Sequence, residues 1–199
     1  MKNLVLQVIE NRRSIRFFAA RDVPRKEIRT ILEAANKAPS AHNQQSWKFI
    51  VIRGKKKDAL VDLVSSKAQQ YPRATSVLLR LASRSIASAP VVIAIANTGE
   101  LIEHGTRLFQ IDKRQSYDFF RTMEIQSSAA AVENLLLAAT SLGLGAVWLG
   151  ILILIKDDVL HLLQEPQGEF MAVIPVGYPV KAPIGPNKKI LEMVIKEME

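Results

Sequence analysis

The sequence contains no cysteine. That absence removes disulfides, thiolate metal ligands and cysteine nucleophiles together, and a chain without disulfides suits the reducing, cytoplasmic compartment. Histidine is nearly as scarce: His42, His104 and His161 stand far apart, with no carboxylate or second histidine at metal-ligand spacing, so no metal site is expected. Two tryptophans and three tyrosines offer little aromatic surface for stacking substrates. No apolar run approaches the ~20 residues of a membrane-spanning helix; the longest, 146–155, is broken by Gly150. Met1-Lys2-Asn3 leads into a helical pattern, without the apolar core and cleavage site of a secretory signal. Repeats, low-complexity tracts and linkers are missing too, so residues 1–199 are expected to form one domain with no membrane partner.

Charge of one sign is in excess: 27 Lys and Arg against 19 Asp and Glu, a net +8. The cations are scattered, at Arg12, Arg13 and Arg16, at 55–57, and at Lys188 and Lys189. No zinc-finger spacing, RNP-type motif or basic zipper accompanies them, so no nucleic-acid partner is expected. A basic balance equally suits a phosphorylated cofactor.

Leu4, Val5, Val8 and Ile9 form an i, i+4 stripe and predict a short helix over 2–11. Pro24 opens a second helix that stops before Pro39. Strands are predicted at 47–52, at 91–96 (continuously apolar, hence buried on both faces), at 146–153 and at 170–178. Helical spacing recurs at 55–66, 73–88 and 157–163. Residues 126–142 are apolar nearly all round, and a helix apolar on every side must be covered on every side, which points to a subunit interface. Residues 99–117 are polar and weakly periodic, a candidate mobile segment over a site. The tail after Val180 ends in an apolar-periodic stretch (Ile190, Leu191, Val194, Ile195) that needs something to dock on. Helices and strands intermix without strict alternation, so the class is α+β with a sheet of four or five strands.

Four segments carry chemistry. Arg12-Arg13-Ser14-Ile15-Arg16 places three guanidiniums and a hydroxyl at the end of the first helix, grips suited to a phosphate or a ring oxygen, or simply a solvated basic turn. Pro39-Ser40-Ala41-His42-Asn43-Gln44-Gln45-Ser46-Trp47 offers amides and hydroxyls that can read a flat heteroaromatic edge, or forms an ordinary polar loop. Leu142-Gly143-Leu144-Gly145-Ala146-Val147-Trp148-Leu149-Gly150 permits close backbone approach to a ligand. It is not the dinucleotide fingerprint, because the order is helix then strand. Val176-Gly177-Tyr178-Pro179 follows, with Lys188 and Lys189 downstream.

Taken in order and spacing, these segments resemble the nitroreductase family: a helix, an arginine-serine motif, Val23-Pro24, the Pro39 to Trp47 loop, an apolar helix into a Leu-Gly-Leu-Gly turn, and a Gly-Tyr-Pro end. The resemblance spans nearly the whole chain and is weakest at 54–88 and 99–120. It implies a mixed, mainly antiparallel sheet flanked by helices, in an intertwined homodimer with FMN at the subunit interface. Arg12, Arg13 and Ser14 are then expected on the phosphate and ribityl chain, with Lys188 or Lys189 on the phosphate. Arg16 is expected at the pyrimidine edge of the ring, where a cation stabilises the anionic reduced flavin. The loop of Pro39, Ser40, Ala41, Asn43 and Gln45 is expected from the partner chain, and the Leu149-Gly150 backbone near N5.

The resemblance further implies ping-pong chemistry: NADH or NADPH reduces FMN through N5 and leaves, and a nitroaromatic, quinone or free flavin then binds over the same ring face. No side chain is needed as a general acid or base. The alternative is a flavin-binding carrier or regulatory protein without NAD(P)H activity. Three departures stand out. Ser46 occupies the family's usual proline, His42 a variable position, and a lysine replaces the C-terminal arginine.

Overall fold

The computed structural model describes residues 3–109, 112–165, 167–181 and 184–198. Met1 and Lys2 at the N-terminus, residues 110–111 of the poorly readable stretch, and Pro183 and Glu199 of the tail lie outside the described residues. Four strands are present among them: β1 (Trp47–Ile52), β2 (Val91–Asn97), β3 (Gly145–Ala146) and β4 (Glu169–Gly177). They form one sheet in the order β1-β2-β4-β3. Seven α-helices accompany them: α1 (Leu4–Asn11), α2 (Arg25–Asn36), α3 (Gly54–Ala68), α4 (Arg73–Ser88), α5 (Glu100–Leu108), α6 (Lys113–Ser141) and α7 (Lys156–Leu162).

β2 explains the layering. Every residue of it is buried, because successive side chains of a strand point to opposite faces and both faces are covered. Val91, Ile93 and Ile95 pack with Ile28, Ile31 and Ala35 of α2 and Val132, Leu135 and Ala139 of α6. Val92, Ala94 and Ala96 pack on the other side with Leu60 and Val64 of α3, Leu79 and Ile86 of α4, and Val159 of α7. Wholly buried side chains such as Ile31, Leu60 and Leu135 each contribute roughly 2 kcal/mol from burial. The architecture is α+β, with helices on both faces of the sheet.

All three strand pairings are antiparallel, with a register shift between Ile95 and Ala96. Among the described residues, the parallel component expected of a mixed sheet is an isolated bridge, Ser14 to Ala146. Two expectations are corrected. The strand at 146–153 is only two residues long; after a bridge from Leu149 to Val173 the chain turns into a 3-10 helix, Gly150–Ile155. Its threefold repeat buries Leu152 and Ile155, three residues apart, and leaves Ile153 and Leu154 exposed. The apolar helix begins thirteen residues earlier than its apolar half, at Lys113, where Asp112 caps it by accepting from Arg114 N at 2.9 Å and Gln115 N at 3.2 Å. Within 99–117, read as only weakly periodic, lie α5 and the start of α6.

Much apolar surface is left uncovered at two places, α1 and the tail. α1 buries no residue, and Leu4, Val5, Leu6 and Ile9 are all at least half exposed. In the tail, Ile190, Leu191, Val194 and Ile195 are exposed around a single 3-10 turn, Leu191–Met193, instead of a docked helix. No described helix is long and apolar enough to cross a membrane.

Candidate functional site

α1 ends at Arg12, and the chain then runs beside the sheet edge. Ile15 N donates to Ala146 O at 3.0 Å, and Ser14 bridges Ala146. The approach is close enough that a Cβ on Gly145 would lie 2.6 Å from the Ile15 side chain, so only glycine fits there. This contact fixes the arginine segment against β3.

The guanidiniums are held by short local bonds. Arg13 Nη1 donates to Glu10 O at 2.6 Å and to Arg12 O at 2.8 Å, and Arg16 Nη1 donates to Ser14 O at 3.4 Å. Arg12 Nε stands 3.9 Å from Glu133 Oε1 on α6. The tail returns to the same place: a Cβ on Gly185 would lie 2.7 Å from Arg13 Nε. Together these segments line a groove of ≈ 1210 Å³ that includes Arg12, Arg13, Ser14, Arg16 and Lys188. Lys189 is exposed and does not line it. Leu149 lies on the same side of the sheet, with its N–H donating to Val173 O at 3.0 Å. At Gly150 a Cβ would meet nothing closer than the Trp148 ring at 3.9 Å. The fold therefore does not require glycine there.

The loop 39–46 sits elsewhere. It feeds β1, the opposite edge strand, and Trp47 pairs with Asn97 while Gly145 pairs with Gly177 at the far end of β4. Three strand spacings and eight residues along β4 separate those corners, on the order of 25–30 Å. His42, Asn43 and Gln45 all have positive φ, 51° to 53°, a backbone region that costs most non-glycine residues about 1–2 kcal/mol. The loop is held by Ser127 Oγ accepting from Ala41 N, Ser40 Oγ accepting from Gln45 N (both 3.1 Å), and Gln45 Nε2 donating to Asn43 Oδ1 at 3.2 Å. Pro39, Asn43 and Gln45 are exposed.

Two features were not foreseen. Phe109, Phe119 and Phe120 cluster beside the loop, with the His42 ring 6.4 Å from Phe109 and 6.5 Å from Phe120. Aromatic surface, scarce in the composition, is thus concentrated at one place. Glu124 is buried on α6, and its Oε1 accepts from Leu101 N at 2.9 Å. Burial pushes its carboxyl above the ordinary range, partly offset by that hydrogen bond. The only sequence signal for either was the few polar or aromatic residues in the helical stretch. A second cavity of ≈ 460 Å³, lined in part by Thr98, Tyr117, Arg121 and Glu124, shares no residue with the four motif segments.

The family model of the nitroreductase family matches residues 9–178. The chain belongs to the nitroreductase family. It is 31% identical over 179 residues to an Archaeoglobus fulgidus protein provisionally named NADH dehydrogenase/NAD(P)H nitroreductase, covering 87% of this chain and 84% of the relative. It is 26% identical over 175 residues to the 5,6-dimethylbenzimidazole synthase of Rhodospirillum rubrum, covering 84% and 78% of the two chains. Among solved structures, a provisionally named nitroreductase of Desulfovibrio desulfuricans, crystallised with FMN, superposes with a TM-score of 0.74 at 29% identity, over 100% of this chain and 99% of the other. This nitroreductase-family chain therefore carries the flavin-oxidoreductase fold.

Proposed function

We propose that the chain binds FMN in the Arg12–Arg16 groove of a homodimer and uses NADH or NADPH to reduce a small flat acceptor, a nitroaromatic, quinone or flavin. The groove carries this reading: the 12–16 motif and the tail at 184–188, distant in sequence, converge there with a multi-cation donor set. Arg12, Arg13, Ser14 and Lys188 match the oxygens of a phosphate, the guanidiniums by paired donors and the ammonium as a point charge. The FMN-bound relative from Desulfovibrio supports the same ligand.

A bound flavin supplies hydride acceptance and donation. The chain's own groups position it. Arg16, exposed at the groove, would set a cation beside the ring of a bound flavin. Gly150, bare of side chain without packing need, leaves backbone open to a close approach. Ser40, Asn43 and Gln45, at the other sheet edge, reach the ring from the second subunit in this reading, and the uncovered apolar face of α1 supports such a partner. The dimethylbenzimidazole synthase among the relatives shows that likeness alone does not name the reaction.

The experiment is an absorbance spectrum of the purified protein, followed by anaerobic addition of NADH and NADPH. Flavin bands, FMN released on denaturation, and bleaching by either nucleotide are expected. Bound FMN that no nucleotide bleaches would identify a carrier or regulatory protein; a protein that takes up no FMN would overturn the proposal.

A further inference from the structure

α5 begins without a cap of its own. Its N-cap, Gly99, stands in the left-handed region at φ 83° and has no side chain to accept from the free amides of the first turn. The local acceptor, Thr98 Oγ1, takes only Glu100 N, in a long bond of 3.4 Å. Leu101 is the second residue of the helix, and its amide is one that an N-cap side chain ordinarily takes. Here Leu101 N donates across to α6, to Glu124 Oε1 at 2.9 Å. The Gly99 and Ile102 amides also favour the charged form of that carboxyl. Glu124 is almost wholly buried. A carboxyl is costly to bury unless it is hydrogen-bonded, and at the amino end of a helix the amides and the helix dipole together offset that cost.

What the cap holds in place lies at the far end of α5. The helix rests along α6: Gly105 packs so closely on the Phe120 ring that no Cβ would fit, and Ser116 Oγ donates to Thr106 Oγ1 at 3.0 Å. Phe109 N closes the last turn on Gly105 O at 2.9 Å, so the start of the Phe109 side chain is carried by the helix. The Phe109 ring stands edge-on to His42 at 6.4 Å. His42 is one of three left-handed residues in loop 39–46, a conformation that persists only where its surroundings hold it. The Ser46 hydroxyl, at the downstream end of the same loop, also bears on the Glu124 carboxyl.

We propose that Glu124 is the N-cap of α5, supplied from α6, and that by fixing α5 it is a positioning residue that seats Phe109 against His42 and so holds loop 39–46. The cap stands on the Leu101 bond; its bearing on a cofactor rests on the proposed FMN reading of the loop.

The test compares Glu124→Met, Glu124→Gln, Ser46→Ala and Phe109→Leu by amide hydrogen exchange on the flavin-free full chain, then by FMN titration. Glu124→Met removes the acceptor at similar length and should speed exchange at Leu101 about tenfold or more, the range for a lost bond to a carboxyl. Ile93, on the strand between β1 and β4, reports global opening and should change less. Glu124→Gln keeps an oxygen acceptor and should recover most of the loss. Ser46→Ala removes only the hydroxyl and should leave Leu101 protected as in the wild type. Wild-type exchange at Leu101 in Glu124→Met, an equal change at Ile93, or a Glu124→Gln variant no better than Glu124→Met would each overturn the cap. FMN affinity should fall about tenfold in Glu124→Met and also fall in Phe109→Leu, and the two losses should not add in the double variant. Additive losses, or a loss in Ser46→Ala as large as that in Glu124→Met, would overturn the route through Phe109. Unchanged FMN affinity in Glu124→Met would overturn the positioning role. A wild-type protein that binds no FMN refutes the functional reading alone, since exchange at Leu101 still decides the cap.

Discussion

At the scale of single residues, the groove makes separable demands. Gly145 is a matter of space: Gly145→Ala drives a Cβ to 2.6 Å from Ile15, overpacking that costs about 1–3 kcal/mol. Denaturant unfolding should show that loss, with FMN affinity falling alongside as the Arg12–Arg16 segment is pushed from the sheet; wild-type stability would refute the close contact. Arg16 is a matter of charge. Arg16→Ala is expected to slow flavin reduction or to weaken FMN retention about 10–100-fold, the range for a lost charged hydrogen bond. Unchanged turnover and FMN content would remove Arg16 from the site. Arg12, Arg13, Ser14, Arg16 and Lys188 stood out in sequence by residue type, and the structure adds that they line one groove. Glu124 did not, because its role depends on Leu101, twenty-three positions away, and on burial that no local pattern displays.

Among the elements, α6 shows both the reach and the failure of periodicity. Its apolar half from Ala129 to Ala139 is plain in sequence, whereas Lys113 to Ile125 mixes charges and phenylalanines and hides one continuous helix. The stretch 146–153 failed for a different reason. A short β-branched apolar run reads alike as strand or buried helix, and the sheet ends after Ala146 because β4 pairs there only through Gly177 and Val176. Strands β1, β2 and β4 were clear because each is long, apolar and punctuated. A pH prediction belongs to α6. Glu124 titrates higher in the folded protein than its ordinary value, so the native state keeps a proton that the unfolded chain has released. Its contribution to stability is full below the ordinary carboxylate range, falls as pH rises to the elevated pKa, and levels off above it. Urea midpoints of wild type relative to Glu124→Gln should therefore decline between about pH 4 and the raised pKa; a pH-independent difference would contradict the shift.

For the whole molecule, the decisive fact is that the arginine groove and the loop 39–46 occupy opposite edges of one sheet. If the site is shared between subunits, two inactive variants should rescue each other. Chains carrying Arg13→Ala with Arg16→Ala, mixed and refolded with chains carrying Ser40→Ala with Asn43→Ala, should form heterodimers with one intact site, returning about a quarter of wild-type activity. No recovery, with heterodimers shown to form, would place the whole site in one chain. The sheet order has a consequence in time as well as in space. β2 is apolar along its length and sits between β1 and β4, yet β4 follows it by seventy-odd residues of chain. At ribosomal speeds that is roughly 4–14 s during which one edge of β2 has no partner. An unpaired, uncharged strand of this kind is a template for joining the same strand of a neighbouring nascent chain. Slower synthesis is therefore expected to lower the yield of native protein, and a chaperone that shelters the emerging β2 to restore it.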